Sequence, residues 1–341
     1  MVLRFGIIGA GDIADRGMAP AMANASSAEL VAVQRRDGEK AKAFAARHDV
    51  PKSYDDVGKL LADPDIDAVY IGTPNVFHAA QTIMALNAGK HVLCDKPMAT
   101  TVADAEAMIE AADKNKVKLG VVFQNRYHPA HVAMRAEVEA GNVGEIDYAY
   151  AQLCRGNRRG GRQGSWRADP ELAAFGAITG QALHPIDLLR YILGSEVEEV
   201  VAMSDEAPPQ RPVEEMIYST LRFANGAHGV VIAGALVPRF DNDVTVYGAK
   251  ARIAGTSTLG SWAKKGKAVE FTFDGEAGEK KVTYERMMTA ADHMAKMVED
   301  FSRSILEGYE AQISAANGLQ MVKIAVALQR SAREGRAIRI A

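Results

Sequence analysis

The chain has 341 residues, 48% apolar and 24% charged, which allows two or three domains and a sizeable core. Its formal net charge of -3 gives no global field to recruit nucleic acid or an anionic membrane, and no apolar run approaches the ~20 residues of a membrane span. Two cysteines, Cys94 and Cys154, exclude a disulfide framework and a zinc spacing, so no metal is expected and a reducing cytoplasm is the expected compartment.

The first third alternates short apolar runs with helical patterns. Strands are expected at 2–8, 29–34, 68–71, 91–94 and 118–123, with helices at 13–24, 39–47, 79–88 and 102–115 between them. Strand and helix in strict turn imply parallel strands with right-handed crossovers, a sheet that binds ligands at its carboxyl strand ends. The first strand runs into Gly9-Ala10-Gly11-Asp12-Ile13-Ala14, a Gly-x-Gly-x-x-Ala between strand and helix. That is a dinucleotide fingerprint: Gly9 for the tight turn, Gly11 for close approach of a pyrophosphate, Ala14 for helix–strand packing. Asp12 and Ile13 stand at the helix amino end, whose N–H groups and partial positive charge face the phosphates. At the end of the second strand, where an acidic residue would grip a ribose hydroxyl, the chain has Gln34-Arg35-Arg36, with Asp37 one step late. Guanidinium forks suit a 2′-phosphate, so Arg35 and Arg36 favour NADP(H), with NAD(H) possible.

Beyond Gln124 the rhythm changes. A helix at 130–140 leads to a strand at 146–153, a basic glycine-rich stretch at 155–162 read as a solvated loop, and a helix at 182–193. Strands then follow one another at 197–203, 216–223, 227–233, 243–247 and 268–273, with Asn225-Gly226 and Asp274-Gly275 as turn signals. Met287 and Met288 read as core, and helices close the chain at 290–306 and 315–333. The fold class is therefore α/β: an amino-terminal doubly wound Rossmann sheet, then an α+β domain with a mostly antiparallel sheet.

The fingerprint, "GTPNVFH" at 72–78, "CDKPMATT" at 94–101 and "ALHPIDLLRYILG" at 182–194, in this order, resemble the Gfo/Idh/MocA family of oxidoreductases over nearly the whole chain. The resemblance implies a dinucleotide domain at 1–124 and a substrate-binding and oligomerisation domain at 125–314, with helix 315–333 packing back on the first. It also implies an NAD(P)-dependent enzyme acting on CH–OH groups of sugars, cyclic polyols and related compounds, and a homodimer or homotetramer formed through the large open second-domain sheet.

The family's Glu-Lys-Pro is Asp95-Lys96-Pro97 here, and Lys96 matches its catalytic or substrate-orienting lysine. An ammonium near a positive nicotinamide is disfavoured, which suits exchange of a proton with a hydroxyl or carbonyl. His184 matches the family's histidine, an imidazole that titrates near neutrality. Four residues earlier, where the family carries an aspartate, stands Gly180; the space it opens would take Phe175 or a larger substrate. Asp187 is within a turn of His184 but reads as structural. Thr73, Pro74, Asn75 and His78 are expected to border the nicotinamide, with Asp95 and Asn125 beside them. Trp166 and Arg167 match a Trp-Arg pair that reaches the cofactor, and Tyr127 lies near enough to meet the substrate. Two alternatives stand beside this reading: a catalytically silent dinucleotide sensor, and the same hydride chemistry on an aromatic or glycosidic substrate touching Phe175.

Overall fold

The structure is a computed structural model, and its described residues are 1–156, 164–206, 213–237, 241–259, 269–276, 278–284 and 290–340. Most of the basic stretch at 155–162, and Met287 and Met288, lie outside them. The chain divides into two compact units, one of residues 1–124 with 290–322, the other of 125–289 with 323–341.

The first unit holds six parallel strands: β1 (Leu3–Ile8), β2 (Ala28–Gln34), β3 (Lys52–Tyr54), β4 (Ala68–Ile71), β5 (His91–Cys94) and β6 (Leu119–Val121). Between them run α1 (Ala19–Asn24), α2 (Gly38–Arg47), α3 (Val57–Leu61), α4 (His78–Asn87) and α5 (Val102–Asn115). The strand order β3-β2-β1-β4-β5-β6 reverses direction between β1 and β4, the topological switch point of a doubly wound sheet. Strands covered on both faces read as continuous apolar runs, and Phe5, Ile7, Ile8, Val69, Tyr70, Ile71, Val92 and Leu93 are accordingly fully buried. The sequence did not resolve β3 and α3, whose residues show no clear apolar period.

The second unit begins with α6 (Pro129–Glu139) and β7 (Ile146–Cys154), then α7 (Pro170–Ala173) and α8 (Leu183–Leu193). Seven strands follow: β8 (Val197–Ser204), β9 (Met216–Phe223), β10 (His228–Gly234), β11 (Val244–Gly248), β12 (Ala251–Thr256), β13 (Val269–Gly275) and β14 (Gly278–Tyr284). With β7 and β15 (Ile338–Arg339) they make a nine-stranded sheet, ordered β14-β13-β12-β11-β7-β10-β9-β8-β15. Every pairing in it is antiparallel except β7 with β10. Asn225-Gly226 turns β9 into β10 as expected, while Asp274 and Gly275 are the last residues of β13 rather than a turn. The strands β12 and β14 escaped the sequence reading; β14 (GEKKVTY) is mostly exposed and lacks an apolar face.

The closing helices correct the expected domain limits. Residues 290–314, read with the second domain, group with the first unit through α9 (Ala290–Glu307), whose Phe301 ring lies 6.5 Å from that of Phe5. The last helix, α10 (Ala315–Glu334), groups with the first unit only to Val322 and with the second from Lys323 onward.

Among the described residues each unit contains a π-helical turn, where the hydrogen bonds widen and the helix bulges. In the first, Ala14–Met18 leads into α1, and the N–H of Ala19 reaches back to the carbonyl of Ala14. In the second, Ile178–Ala182 leads into α8, and the N–H of Leu183 reaches the carbonyl of Ile178. A proline follows each widened turn, Pro20 and Pro185, and neither has an N–H to continue the normal ladder.

Candidate active site

Four loops converge at the carboxyl edge of the first sheet. Ile8 is level with Gln34 of β2 and Ile71 of β4, and Ile71 with Cys94 of β5. The residues just past these strand ends therefore share one edge. The carbonyl of Gln34 accepts the N–H groups of Gly9 (3.1 Å) and Ala10 (3.0 Å), tying the β1 loop to β2. Gly9 adopts φ +84°, and a Cβ there would lie 2.6 Å from Thr73 Cγ2, so the turn excludes any side chain at this position.

Gly11 differs. A Cβ on it would meet nothing nearer than the Gly9 carbonyl oxygen at 3.8 Å. This is a backbone surface with space above it. The helix beyond begins at Asp12, directly after Gly11, whose carbonyl accepts the Asp15 N–H at 2.9 Å, and a glycine there has no side chain to cap the first N–H groups. Open backbone and an uncapped amino end fit a pyrophosphate, and Gly9, Gly11, Asp12 and Ile13 are the residues that would hold it. The Asp12 side chain is turned to Arg16 at 3.0 Å.

At the end of β2 the Gln34 side chain turns inward to the Asp55 carbonyl at 3.2 Å. Arg35 reaches over the fingerprint, its Nη1 donating to the Ala10 carbonyl at 3.2 Å, and Arg36 is exposed with no carboxylate partner among the described residues. Asp37 is committed elsewhere: it caps α2 by accepting the Lys40 N–H at 3.1 Å and pairs with the Lys40 ammonium at 2.9 Å. The hydrogen bond to Lys40 holds its carboxyl below the usual carboxylate range.

The β4 and β5 loops are joined by His78. Its Nδ1 lies 2.7 Å from the Pro97 carbonyl oxygen and its Nε2 2.9 Å from that of Thr73, and the side chain is 1% exposed. Expected to border a cofactor, it has both ring nitrogens against backbone carbonyls and braces the two loops. Thr73 donates its hydroxyl to Gln81 at 2.6 Å, Pro74 leads into a short 3-10 turn, and Asn75 in that turn is buried. Asp95 accepts the Tyr70 hydroxyl at 3.2 Å and the Lys96 N–H at 2.9 Å, so its carboxylate fixes the backbone before Lys96. Lys96 is half-buried, two residues past β5, on the edge that carries Gly9 and Thr73.

The second unit gathers the other predicted residues. Asn125 is buried, and its carbonyl accepts His131 Nδ1 at 2.6 Å. Tyr127 is buried beside it. Arg126 and Asp187 form a buried two-point ion pair, Nε to Oδ2 at 2.9 Å and Nη2 to Oδ1 at 2.5 Å, with the guanidinium 5.6 Å from the Tyr191 ring centroid. Asp187 is thereby spent on fixing α8, the structural role read from the sequence. Trp166 and Arg167 stand on a short 3-10 turn, the guanidinium 4.3 Å from the indole centroid. Phe175 is buried, 6% exposed. Gly180 lies inside the π-helical turn, its N–H donating to the Gly176 carbonyl at 2.9 Å. His184 is half-buried on the first turn of α8.

Sequence reasoning missed Glu214. It is buried, and it accepts the N–H groups of Gly176 and Ile178 in the turn that precedes His184. An acidic pair at the mouth of an alternating strand reads as surface, and only the fold brings it to that turn. The two prolines after the widened turns were the legible signal for the bulges.

This is the arrangement of a dinucleotide-dependent oxidoreductase: a doubly wound sheet with an open glycine backbone at its switch point and a lysine on the same edge. Residues 3–123 match the family model described as oxidoreductase family, NAD-binding Rossmann fold, and residues 131–254 match the GFO/IDH/MocA C-terminal domain. The chain belongs to the Gfo/Idh/MocA family of oxidoreductases. It is 32% identical over 333 residues to 1,5-anhydro-D-fructose reductase of Ensifer adhaerens, covering 94% of this chain and 96% of that one. Aldose-aldose oxidoreductase from Caulobacter crescentus superposes with a TM-score of 0.87 at 27% identity, over 99% of this chain and 100% of the other. Levoglucosan dehydrogenase, in complex with NADH and levoglucosan, superposes with a TM-score of 0.86 at 25% identity over 100% of both chains. No helix among the described residues is long and apolar enough to cross a membrane.

Proposed function

We propose that the protein is an NADP(H)-preferring oxidoreductase acting on a hydroxyl or carbonyl carbon of a sugar, cyclic polyol or related compound. The nicotinamide, when bound, supplies or takes up the hydride. This chain supplies position and protons. The Gly9–Ile13 backbone holds the phosphates, and Lys96 exchanges a proton with the substrate oxygen or polarises its carbonyl. His184 orients that oxygen or relays its proton. Trp166, Arg167 and Asn125 are assigned to the cofactor, and Tyr127 and Gly180 to the substrate.

The observation that carries the reading is the shared edge of β1, β2, β4 and β5, with open Gly11 backbone at its switch point and Lys96 just past β5. NADP(H) preference is supported by the end of β2: two arginines, a glutamine turned inward and an aspartate tied up as a helix cap. The similar levoglucosan dehydrogenase is bound to NADH, so the NADP(H) preference rests on this chain's own residues. The sugar and polyol class is supported by the named substrates of the relatives.

Assembly as a homodimer or homotetramer through the second sheet is supported by its exposed apolar side chains. Val201, Met203, Tyr218, Tyr148 and Tyr247 lie on four of its strands, the last two rings stacked with centroids 5.5 Å apart. Light scattering that returns a monomer removes this part of the reading.

The direct test is a single-turnover mix of the protein with NADPH and a panel of keto-sugars. Loss of reduced-nicotinamide fluorescence is expected with at least one of them, and Lys96→Ala should slow that loss by about two orders of magnitude. Tight NADPH binding with no oxidation by any of the panel would leave the sensor reading in its place.

A further inference from the structure

The segment that carries His184 is held by a residue far along the chain. Gly176 and Ile178 both donate their N–H groups to one oxygen, Oε1 of Glu214, at 2.9 and 2.8 Å. Between them, Ala177 donates its N–H to the Glu214 backbone carbonyl at 2.7 Å. The contact is tight enough that a Cβ on residue 176 would sit 2.0 Å from that carbonyl oxygen, so only glycine fits. Glu214 is 2% exposed. One buried acid thus captures the amides that open the π-helical turn Ile178–Ala182, and that turn runs without a break into α8 and His184.

We propose that Glu214 is a positioning residue for the reaction: its carboxylate fixes where residues 176–184 stand, and its ionisation state governs how firmly. The idea rests on the proposed roles of His184 and Gly180, since Glu214 itself is argued to act only through them. Burial pushes the Glu214 carboxyl up to about 7, against the pull of its backbone hydrogen bonds. An ionised carboxylate accepts N–H groups more strongly than a neutral one, so the hold tightens as the group ionises.

Among the described residues the surrounding charges are few. Asp205, at the end of β8, accepts the N–H groups of Glu215 (2.8 Å) and Met216 (2.9 Å). Glu206 is met by Arg333 of α10 at 2.8 Å, and Glu215 adjoins Glu214 in the chain. Residues 175–183 carry no ionisable side chain, and neither do Gly234 and Ala235 at the end of β10. Glu206 opposes ionisation of Glu214, and the Arg333 guanidinium feels its charge.

The experiment follows the Gly176 and Ile178 amide resonances of the full chain across neutral pH, beside kcat and KM for wild type, Glu214→Gln and Glu214→Ala. In wild type the two resonances should move together with a midpoint near pH 7. In Glu214→Gln they should stay flat, because the amide oxygen still accepts both bonds but does not titrate. The same substitution should remove the matching inflection from kcat/KM while leaving NADPH affinity within about twofold. Glu214→Ala, which strands both N–H groups, should lower kcat by about tenfold with NADPH affinity unchanged. Resonances that stay flat in wild type, or titrate equally in Glu214→Gln, overturn the proposal. Amide titration in a protein that never transfers hydride upholds the Glu214 hold and counts against the functional reading instead.

Discussion

The two units place their site residues by different means. In the first, every site segment follows directly from a parallel strand, and neighbouring loops are linked across short distances: Gly9 to Gln34, Arg35 to Ala10, His78 to Thr73 and Pro97. In the second, the segment bearing His184 is pinned from afar. Arg126 and Asp187 pair across a sequence separation of 61 residues, and Glu214 reaches Gly176 across 38. A strand end can be written locally. A segment held by buried charge depends on the whole unit being folded.

If this contrast is right, charge removal should hurt the second unit most. Arg126→Ala leaves Asp187 buried without its main partner and should cost about 3–5 kcal/mol of stability, measured by chemical denaturation. A cost comparable to a surface ion pair would show that Asp187 finds another partner, so that the unit is not held this way.

The units should also answer pH in opposite senses. Burial raises the Glu214 carboxyl to about 7 from its ordinary 4.5. The native state then binds the extra proton, so stability falls as pH rises from the lower value through the higher. Burial lowers His293 on α9 to about 4 from 6.5, and there stability falls as pH drops from the higher value through the lower. Each group spans about 3 kcal/mol at most. Relative to wild type, Glu214→Gln should therefore gain stability between about pH 5 and pH 8, and His293→Asn should lose less than wild type on acidification below about pH 6. Equal pH dependence in all three proteins would remove both assignments.

Within the first unit, two substitutions at the end of β2 separate binding from structure. Arg36→Ala should shift the NADPH-over-NADH preference by about tenfold, about 1.4 kcal/mol, with little change in stability. Asp37→Ala should do the reverse, costing about 1 kcal/mol as a lost helix cap and leaving that preference unchanged. A large change in NADH affinity on removing Asp37 would return it to the ribose.

Legibility in the sequence follows the same division. The fingerprint, the strand order it implies and the row of site loops were readable because a doubly wound sheet repeats one local unit, and Gly9 marks a turn that only glycine fits. The second sheet was readable where strands alternate, as in β9 with its buried and exposed residues in turn, and not in the exposed β14. For His78, nothing local says that both ring nitrogens face backbone carbonyls. Glu214 was invisible for the same reason, since its partners are backbone amides that any sequence supplies.

The most direct measurement is a titration of wild type and Gly11→Val with NADPH. A side chain at residue 11 meets nothing of the protein closer than 3.8 Å from its Cβ, so the fold should tolerate it while the pyrophosphate should not. The account predicts tight binding to wild type and affinity weakened by about a hundredfold in the variant, about 2.7 kcal/mol, at an unchanged melting temperature. Binding that is equal in the two proteins, or absent from wild type, would contradict it.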